Sequence, residues 1–265
     1  MKHKLYLLLI ITPFIFQSCI LTIIDDSACI SGEGEIVSET FTISEFSAVE
    51  LESVFDVEII QGDEYEITIE GHENMIDEVE IWVNSRGVLN IDLAGACYND
   101  FELTVFVVTP FLESVKLEST GDIYIDGFEN LDYLDITNNS TGTIWSNKYL
   151  TLSDELNIWN NSTGDVDLIV SAPDINVDID GTGDVILFGE CYKQNVRTDG
   201  TGDYKAFDLL SELCTVVSNG TGDSEVFASR KVYITVNSTG DVFYAGEADA
   251  IIKENSVGDA VFVSF

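Results

Sequence analysis

A four-residue motif close to Ser-Thr-Gly-Asp or Gly-Thr-Gly-Asp recurs eight times between residue 119 and residue 259. Its central glycines are 21, 22, 19, 19, 20, 18 and 18 residues apart. A period of this size is typical of a solenoid, in which each coil must lie on the next to bury its apolar face. It is too short for a repeat of two helices. The central glycines are Gly121, Gly142, Gly164, Gly183, Gly202, Gly222, Gly240 and Gly258.

Two positions around each glycine carry mostly apolar side chains. The residue six before the glycine is β-branched in every repeat, and the residue two after it is apolar in most. Both offsets are even, so in an extended strand both side chains point the same way, which we predict to be inward. The first column is Val115, Ile136, Ile158, Val177, Val196, Val216, Ile234 and Ile252. The second is Ile123, Ile144, Val166, Val185, Tyr204, Ser224, Val242 and Ala260.

Polar residues occupy the odd offsets, mainly Asn or Asp three before the glycine, Thr directly before it and Asp directly after it. This alternation predicts an all-β fold, a right-handed parallel β-helix (β-solenoid) with 18–22 residues per coil. Only Ser or Gly stands two before the glycine, which predicts a tight corner. There the central glycine supplies either a positive φ or room for close backbone approach.

One solenoid domain is predicted over residues 32–265, with the regular repeats in 111–265. Residues 32–110 alternate less regularly and predict the N-terminal cap and the first coils, because an open solenoid end exposes unpaired backbone. We expect hairpin turns at "QGD" (61–63) and "SRG" (85–87) and a short helical turn within 72–80.

The first 18 residues read as a secretory signal, with two lysines before an apolar run of about twelve residues. That run is well short of the roughly 20 residues needed to span a bilayer. The sequence "FQSC" resembles a bacterial lipobox, which predicts a lipid on Cys19 and a tether over 19–31; a cleaved soluble signal is the alternative. We therefore expect an exported outer-membrane lipoprotein, with its periplasmic or outward orientation left open.

Acidic residues outnumber basic ones by 48 to 11. Such a surface repels nucleic acid and anionic lipid, so neither is a predicted partner and membrane contact is through the lipid anchor only. The aspartate column admits two interpretations. The side chains either bond to backbone in the turns, or relieve their repulsion by binding calcium. The calcium candidates are Asp165, Asp184, Asp203, Asp223 and Asp241, and no other cofactor is predicted.

Four cysteines follow Cys19, and Cys29–Cys97 is the favoured disulfide because this pair flanks the N-terminal region. Four aromatic residues are candidates for a binding face that stacks on sugar rings or contacts a protein. Contact with a loop folded over the face is the alternative. These aromatic residues are Tyr124, Trp145, Trp159 and Phe243.

His72 is the only histidine after the signal, which argues against nucleophile–histidine catalysis. β-Helix polysaccharide lyases usually combine calcium with a lysine or arginine base, whereas the basic residues of this chain are scattered. We predict that the protein is not an enzyme. The alternative is a polysaccharide-binding or polysaccharide-degrading β-helix protein, in which a pair of acids converges in a groove lined by aromatic residues. A purely structural spacer is a further alternative.

The stretch from "GEGEIVSETFTISEFSAVEL" to "VNSRGVLNIDL", followed by "VTPFLESVKLESTGDI" and the Gly-Asp coils, resembles the putative auto-transporter adhesin (head-GIN domain) family. The resemblance covers roughly residues 32–260 and implies a β-helix-like fold in an exported, often lipid-anchored protein of Bacteroidetes-type bacteria. It brings no catalytic residues. Together these features predict a non-enzymatic surface lipoprotein, an adhesin that presents a polar, acidic solenoid face to a glycan or a protein.

Overall fold

The computed structural model describes residues 29–95 and 97–264. The predicted signal peptide, the lipidation site Cys19 and most of the tether lie outside these residues, so those expectations stay predictions. Within the described part, no helix has the length and apolar character needed to cross a membrane.

The chain forms a β-solenoid of about seven turns, which confirms the predicted fold class. Nearly all strand pairs are parallel, and the antiparallel pairs lie in the N-terminal third. In chain order the elements are β1 (Ile30–Ser31), β2 (Ile36–Thr42), β3 (Ala48–Leu51), β4 (Asp56–Gln61), β5 (Glu66–His72), α1 (Glu73–Ile76), β6 (Val79–Val83), β7 (Val88–Leu93), β8 (Tyr98–Asn99), β9 (Leu103–Thr109), β10 (Ser114–Leu117), β11 (Ile123–Ile125), β12 (Phe128–Asn138), β13 (Ile144–Asn160), β14 (Val166–Ile179), β15 (Val185–Thr198), β16 (Tyr204–Ala206), β17 (Leu209–Ser218), β18 (Ser224–Phe227), β19 (Lys231–Val236), β20 (Val242–Ala245), β21 (Asp249–Glu254) and β22 (Ala260–Phe262).

The first apolar column forms a continuous inner seam, as predicted. Val177 pairs with Val196, and Val196 pairs with Val216, each one coil further along. These three side chains are at most 3% exposed. We call the sheet that carries this column sheet 1. Its strands, or the parts of them in register with this column, are β7, β3, β10, β12, β13, β14, β15, β17, β19 and β21.

The second apolar column lies on sheet 2 and also points inward. Two of its members are polar, and Tyr204 pairs with Ser224 in register. The fully buried Tyr204 hydroxyl donates to Gln194 Oε1 at 3.0 Å, and Gln194 Nε2 donates to Ser211 Oγ at 3.0 Å. The core therefore contains a buried polar network, whose members satisfy one another. Sheet 2 comprises β9, β4, β11, the first parts of β13, β14 and β15, and then β16, β18, β20 and β22.

A third sheet closes each coil between the other two. In it Leu150, Val170, Gly189 and Leu209 stack in register across four coils. Leu150, Val170 and Leu209 are fully buried. The three sheets thus enclose one apolar core along the axis.

The repeated glycine is required by close backbone approach. A Cβ on Gly202 would overlap the carbonyl oxygen of Gly183, which occupies the same corner one coil earlier. The same overlap recurs between Gly222 and Gly202. These corner glycines have no positive φ. The sequence therefore needs glycine there for close backbone approach and not for a left-handed conformation.

The N-terminal third caps the solenoid, with one departure from the predicted turns. "SRG" joins β6 and β7 in an antiparallel hairpin, and α1 lies where a helical turn was expected. The hairpin predicted at "QGD" is wrong, because β9 lies between β4 and β5 and pairs with both. Val105 and Val107 of β9 are fully buried there, a non-local pairing that a turn motif does not reveal.

A disulfide joins Cys29 and Cys97, the pair favoured from the sequence, with Cα atoms 4.6 Å apart. It lies beside the short parallel pair of β1 and β8, which is separate from the main sheet. The disulfide therefore fixes the start of the described chain to the capped end of the solenoid.

Candidate functional site

The outward surface of sheet 1 carries three parallel rows of side chains, one residue per coil in each row. The middle row runs from Trp159 to Asp178, Arg197 and Val217, which are successive partners in the strand register. Because successive residues of a strand alternate between faces, these side chains point away from the buried column. The rows on either side are dominated by amides and carboxylates.

The first amide row is a hydrogen-bonded ladder. Asn176 Nδ2 donates to Asn157 Oδ1 at 2.8 Å, and Asn195 Nδ2 donates to Asn176 Oδ1 at 2.8 Å. Asn176 and Asn195 are thus held in one orientation and each keeps its second N–H hydrogen available, whereas Nδ2 of Asn157 donates to carboxylates of the chain at 3.0 and 3.3 Å. A rigid row of donors follows, at the coil spacing of about 4.8 Å.

The second amide row lies on the other side of the middle row and is interrupted. Asn161 Nδ2 donates to Asn139 Oδ1 at 2.8 Å, and Asn219 Nδ2 donates to Asp199 Oδ1 at 2.6 Å. Between Asn161 and Asn219 stand Asp180 and Asp199, and a carboxylate cannot donate to the coil before it. The ladder is therefore broken at these two coils.

A shallow groove of about 280 Å³ lies on this surface. We call it the Trp159 groove and define it by Trp159, Asn176, Asp178, Asn195 and Arg197, which line it. The Trp159 side chain is 38% exposed, so its ring borders the groove and stays open to solvent. The groove combines an aromatic surface with amide, carboxylate and guanidinium groups.

Asp178 carries the most unusual polar group of the groove. Its Oδ1 atom is buried and has no hydrogen-bond partner among the described residues. Burial raises the pKa of this carboxyl, and the charge of Asp180 adds to the effect. Arg197 Nη1, 3.9 Å away, offsets only part of it. The side chain as a whole is 33% exposed, so the groove reaches this carboxyl group on the side away from Oδ1.

Three carboxylates lie close together beside the groove. One oxygen from each of them lies within 4.8 Å of the others, and they belong to Asp178, Asp180 and Asp199. Arg197 Nη2 contacts the carboxylate of Asp199, so a cationic group of the chain already lies beside this trio. Its position differs from that of the predicted calcium candidates, since two of the three members belong to the second amide row.

The five calcium candidates instead form a ladder of carboxylates along the corner, and each bonds to backbone. Asp165 Oδ1 accepts the N–H of Asp184 at 2.7 Å, and Asp184 Oδ1 accepts the N–H of Asp203 at 2.9 Å. The pattern continues through Asp223, Asp241 and Asp259. One oxygen of each carboxylate therefore bonds to the backbone of the next coil and not to its own turn, which differs from the turn interpretation; calcium binding by these aspartates stays a prediction.

Tyr124 and Trp145 lie on sheet 2, on a different surface from Trp159. Their ring centroids are 4.3 Å apart and the rings are tilted by 36°. The Tyr124 hydroxyl donates to Asp126 Oδ1 at 2.7 Å. Burial, and next this bond, raise the pKa of Tyr124 to about 12. The pair is held by neighbours of the chain itself.

Phe243 shares the sheet 2 surface with Trp145 but lies far along it. The register runs from Trp145 through Asp167 and three further coils before it reaches Phe243, about 24 Å at 4.8 Å per coil. The structure therefore does not bring the four aromatic candidates into one face. Two of them form a pair, and Trp159 lies alone with polar neighbours.

The sequence analysis missed Asn157, Asn176, Asn195, Asp178 and Arg197. The repeat pattern does contain them. The asparagines stand seven residues before a repeat glycine, and Asp178 and Arg197 stand five before one. Both positions point outward on the strand that carries the apolar column. Listing those two offsets would have placed an asparagine ladder beside Trp159.

A family model described as "Putative auto-transporter adhesin, head GIN domain" matches residues 45–248, which is most of the chain. The chain belongs to this family. The match includes the first coils, the Trp159 groove and all five predicted calcium candidates. No curated protein matches the chain.

Solved structures of similar fold come from Parabacteroides species, among others. A putative adhesin from Parabacteroides distasonis has a TM-score of 0.78 and 22% identity, covering 88% of this chain and 99% of its own. A putative adhesin from Parabacteroides merdae has a TM-score of 0.76 and 20% identity, covering 89% and 100%. A putative lipid binding protein from Parabacteroides distasonis has a TM-score of 0.71 and 16% identity, covering 89% and 99%. At these identities the likeness concerns the fold.

Proposed function

We propose that this head-GIN protein is an exported, lipid-anchored, non-enzymatic adhesin that binds a glycan in the Trp159 groove. The observation that carries the proposal is the placement of an exposed indole beside an ordered row of amides. Sugar recognition uses an aromatic ring against the apolar face of the sugar and fixed polar groups against its hydroxyls. The partly exposed carboxyl group of Asp178 adds an acceptor where the amide row supplies donors.

The charge of the protein restricts the class of glycan. The formal net charge is −37, and the groove itself contains Asp178 with Asp180 and Asp199 close by. A sulfated or uronic-acid polymer would be repelled by this field. We therefore expect neutral sugars or sugars with a free amino group.

The site supports binding better than catalysis. Arg197 is engaged by Asp199 and lies 3.9 Å from Asp178, so it is not free to serve as the basic residue of a lyase, and a competing hydrolase would have to use the carboxylates of Asp178 and Asp180. His72 Nδ1 accepts the N–H of Glu102 at 3.0 Å, a bond within the N-terminal cap. A protein that cleaves polysaccharide is the competing function, and it would release reducing sugar from the glycan that it binds.

A glycan array probed with the lipid-free chain tests the proposal. We expect neutral or amino-sugar glycans to be retained and Trp159→Ala to lose most of that binding. Trp145→Ala is the matched control, because Trp145 has nearly the same exposure, 37%, on the other sheet. Equal loss in both variants, or retention of anionic glycans only, would contradict the proposal. Release of reducing sugar would favour the enzyme.

A further inference from the structure

The two ends of the solenoid differ in how they are closed. At the N-terminal end, β7 is covered by β6, and β9 by β5, in antiparallel pairs. At the other end, β21 pairs with β19 alone and β22 with β20 alone among the described residues. An unpaired strand edge is a template for another strand.

Core side chains are uncovered at this second end. Ile252 continues the inner seam of sheet 1 and is 40% exposed, whereas Ile234 directly before it is 2% exposed. Ile251 lies on the outward face of sheet 1, in register with the exposed Tyr233, and is 49% exposed; Phe262, in the last strand of sheet 2, is 56% exposed. Exposed aliphatic and aromatic side chains on the last strands of both sheets are typical of a contact surface.

We propose that this edge pairs with the same edge of a second copy of the chain, giving a closed, two-fold symmetric dimer. An antiparallel pair of β21 strands centred on Ile251 places Asp249 of each copy opposite Lys253 of the other. It also places Ala250 opposite Ile252, so inward residues meet inward residues. The strand carries its own charge complement in this register.

The register shifted by one residue is disfavoured by like charges and by the direction in which its side chains point. Shifting the pair by one residue brings Asp249 opposite Glu254, two like charges, and sets inward residues against outward ones. At the N-terminal end the edge strands are β6 and β2, and the core side chains Leu89 and Ile91 beneath β6 are already fully buried, so stacking of β21 there would cover less apolar surface than joining two open ends. Pairing of the same edge in both copies uses that edge in each, so the contact closes at two copies.

The dimer has a consequence for adhesion that rests on the proposed function. The Cys29–Cys97 disulfide fixes the start of the described chain at the capped end, away from β21. Two copies joined edge to edge hold their lipid tethers at opposite ends of the pair. Copies anchored on two cells would then bridge them.

Cysteine crosslinking in the full exported chain tests the dimer. The register puts the two Ile251 residues opposite each other, so Ile251→Cys should crosslink on oxidation and run at twice the chain mass. Thr239→Cys, exposed one coil earlier, is the matched control and should stay monomeric, as should the wild type with Cys191 and Cys214. A monomeric Ile251→Cys, or equal crosslinking of Thr239→Cys, would overturn the proposal.

Charge reversal tests the register itself, in the Ile251→Cys background. Asp249→Lys replaces two attractive pairs by repulsive ones and should lower the dimer fraction about five- to thirtyfold. Adding Lys253→Asp should restore it, and failure to restore it would overturn the register.

Mixing two cell populations with differently tagged chains tests bridging separately from glycan binding. Mixed-tag dimers support it, and same-tag dimers only would overturn it.

Discussion

Asp165 Oδ1 accepts a hydrogen bond from the backbone N–H of Asp184 at 2.7 Å, and the two residues occupy the same corner of successive coils. The repeated aspartate thus ties each coil to the next through a charge-assisted bond. We expect Asp165→Ala to lower the free energy of unfolding by about 1–2 kcal/mol, because an N–H loses its charged partner. Urea denaturation measures the change.

Two variants serve as controls for this prediction. Asp165→Asn keeps an acceptor oxygen and removes repulsion towards Asp167, so it should cost less than half as much as alanine. Thr201→Ala, at an exposed position of the same motif, should be neutral. Equal losses in all three would contradict the bond's role.

The corner glycines predict a steric effect. Gly202→Ala should destabilise the fold by about 2–3 kcal/mol, since its Cβ would overlap the carbonyl oxygen of Gly183 and force the coils apart. Gly87 offers the comparison, because it has a φ of +76° and nothing within 4 Å of a Cβ. Gly87→Ala should cost about 1 kcal/mol. Thermal melts compare the two, and a smaller loss at Gly202 would argue against close packing of the corners.

Restoring the second amide row should stabilise the protein. In Asp180→Asn the new amide can donate to Asn161 Oδ1, and one charge beside Asp178 disappears. We expect a gain of about 1 kcal/mol in the free energy of unfolding. Asp208→Asn, an exposed substitution outside the row, should give no gain. An unchanged or lowered stability of Asp180→Asn would show that the break in the ladder has no energetic cost.

Mild acid should raise the melting temperature. Burial raises the pKa of Asp167 and of Asp178, so the folded state binds protons more tightly than the unfolded chain. Stability then rises as pH falls through the raised pKa values of the folded state, and the gain is complete below the unfolded pKa near 3.9. The bond to Lys148 lowers the pKa of Asp126, whose stabilisation is lost only at still lower pH.

Differential scanning fluorimetry across this range measures the effect. Asp178→Asn should flatten the rise, because it removes one of the titrating groups. A melting temperature that falls steadily from about pH 7.5 to about pH 5 would contradict the assignment.

The strict repeat made the solenoid predictable from sequence. A β-branched residue six before each glycine gives one periodic signal per coil, and the register of Val177, Val196 and Val216 follows it without a shift. The insertion of β9 between β4 and β5 was not predictable, because pairing between distant strands leaves no local turn signal. Tyr204 lies inward because the buried Gln194 accepts a hydrogen bond from its hydroxyl and in turn donates to Ser211, an arrangement that the repeat pattern does not indicate.

The candidate site was half predictable. Trp159 was identified by its outward parity, but parity alone does not say that sheet 1 and sheet 2 present different surfaces. Trp145 therefore appeared equivalent to Trp159, although its ring lies against Tyr124. The polar side of the groove depends on amides in three successive coils, and each amide in isolation resembles any surface asparagine.

Fluorescence of a single tryptophan tests the central claim, that the partner binds against Trp159. In a chain with Trp82→Phe and Trp145→Phe, all emission comes from Trp159. Titration with the glycan that the array retains should shift and quench this emission, and the midpoint should agree with the affinity of the unaltered chain. An unchanged Trp159 signal at saturating glycan, together with a change in a chain that keeps only Trp145, would contradict the account.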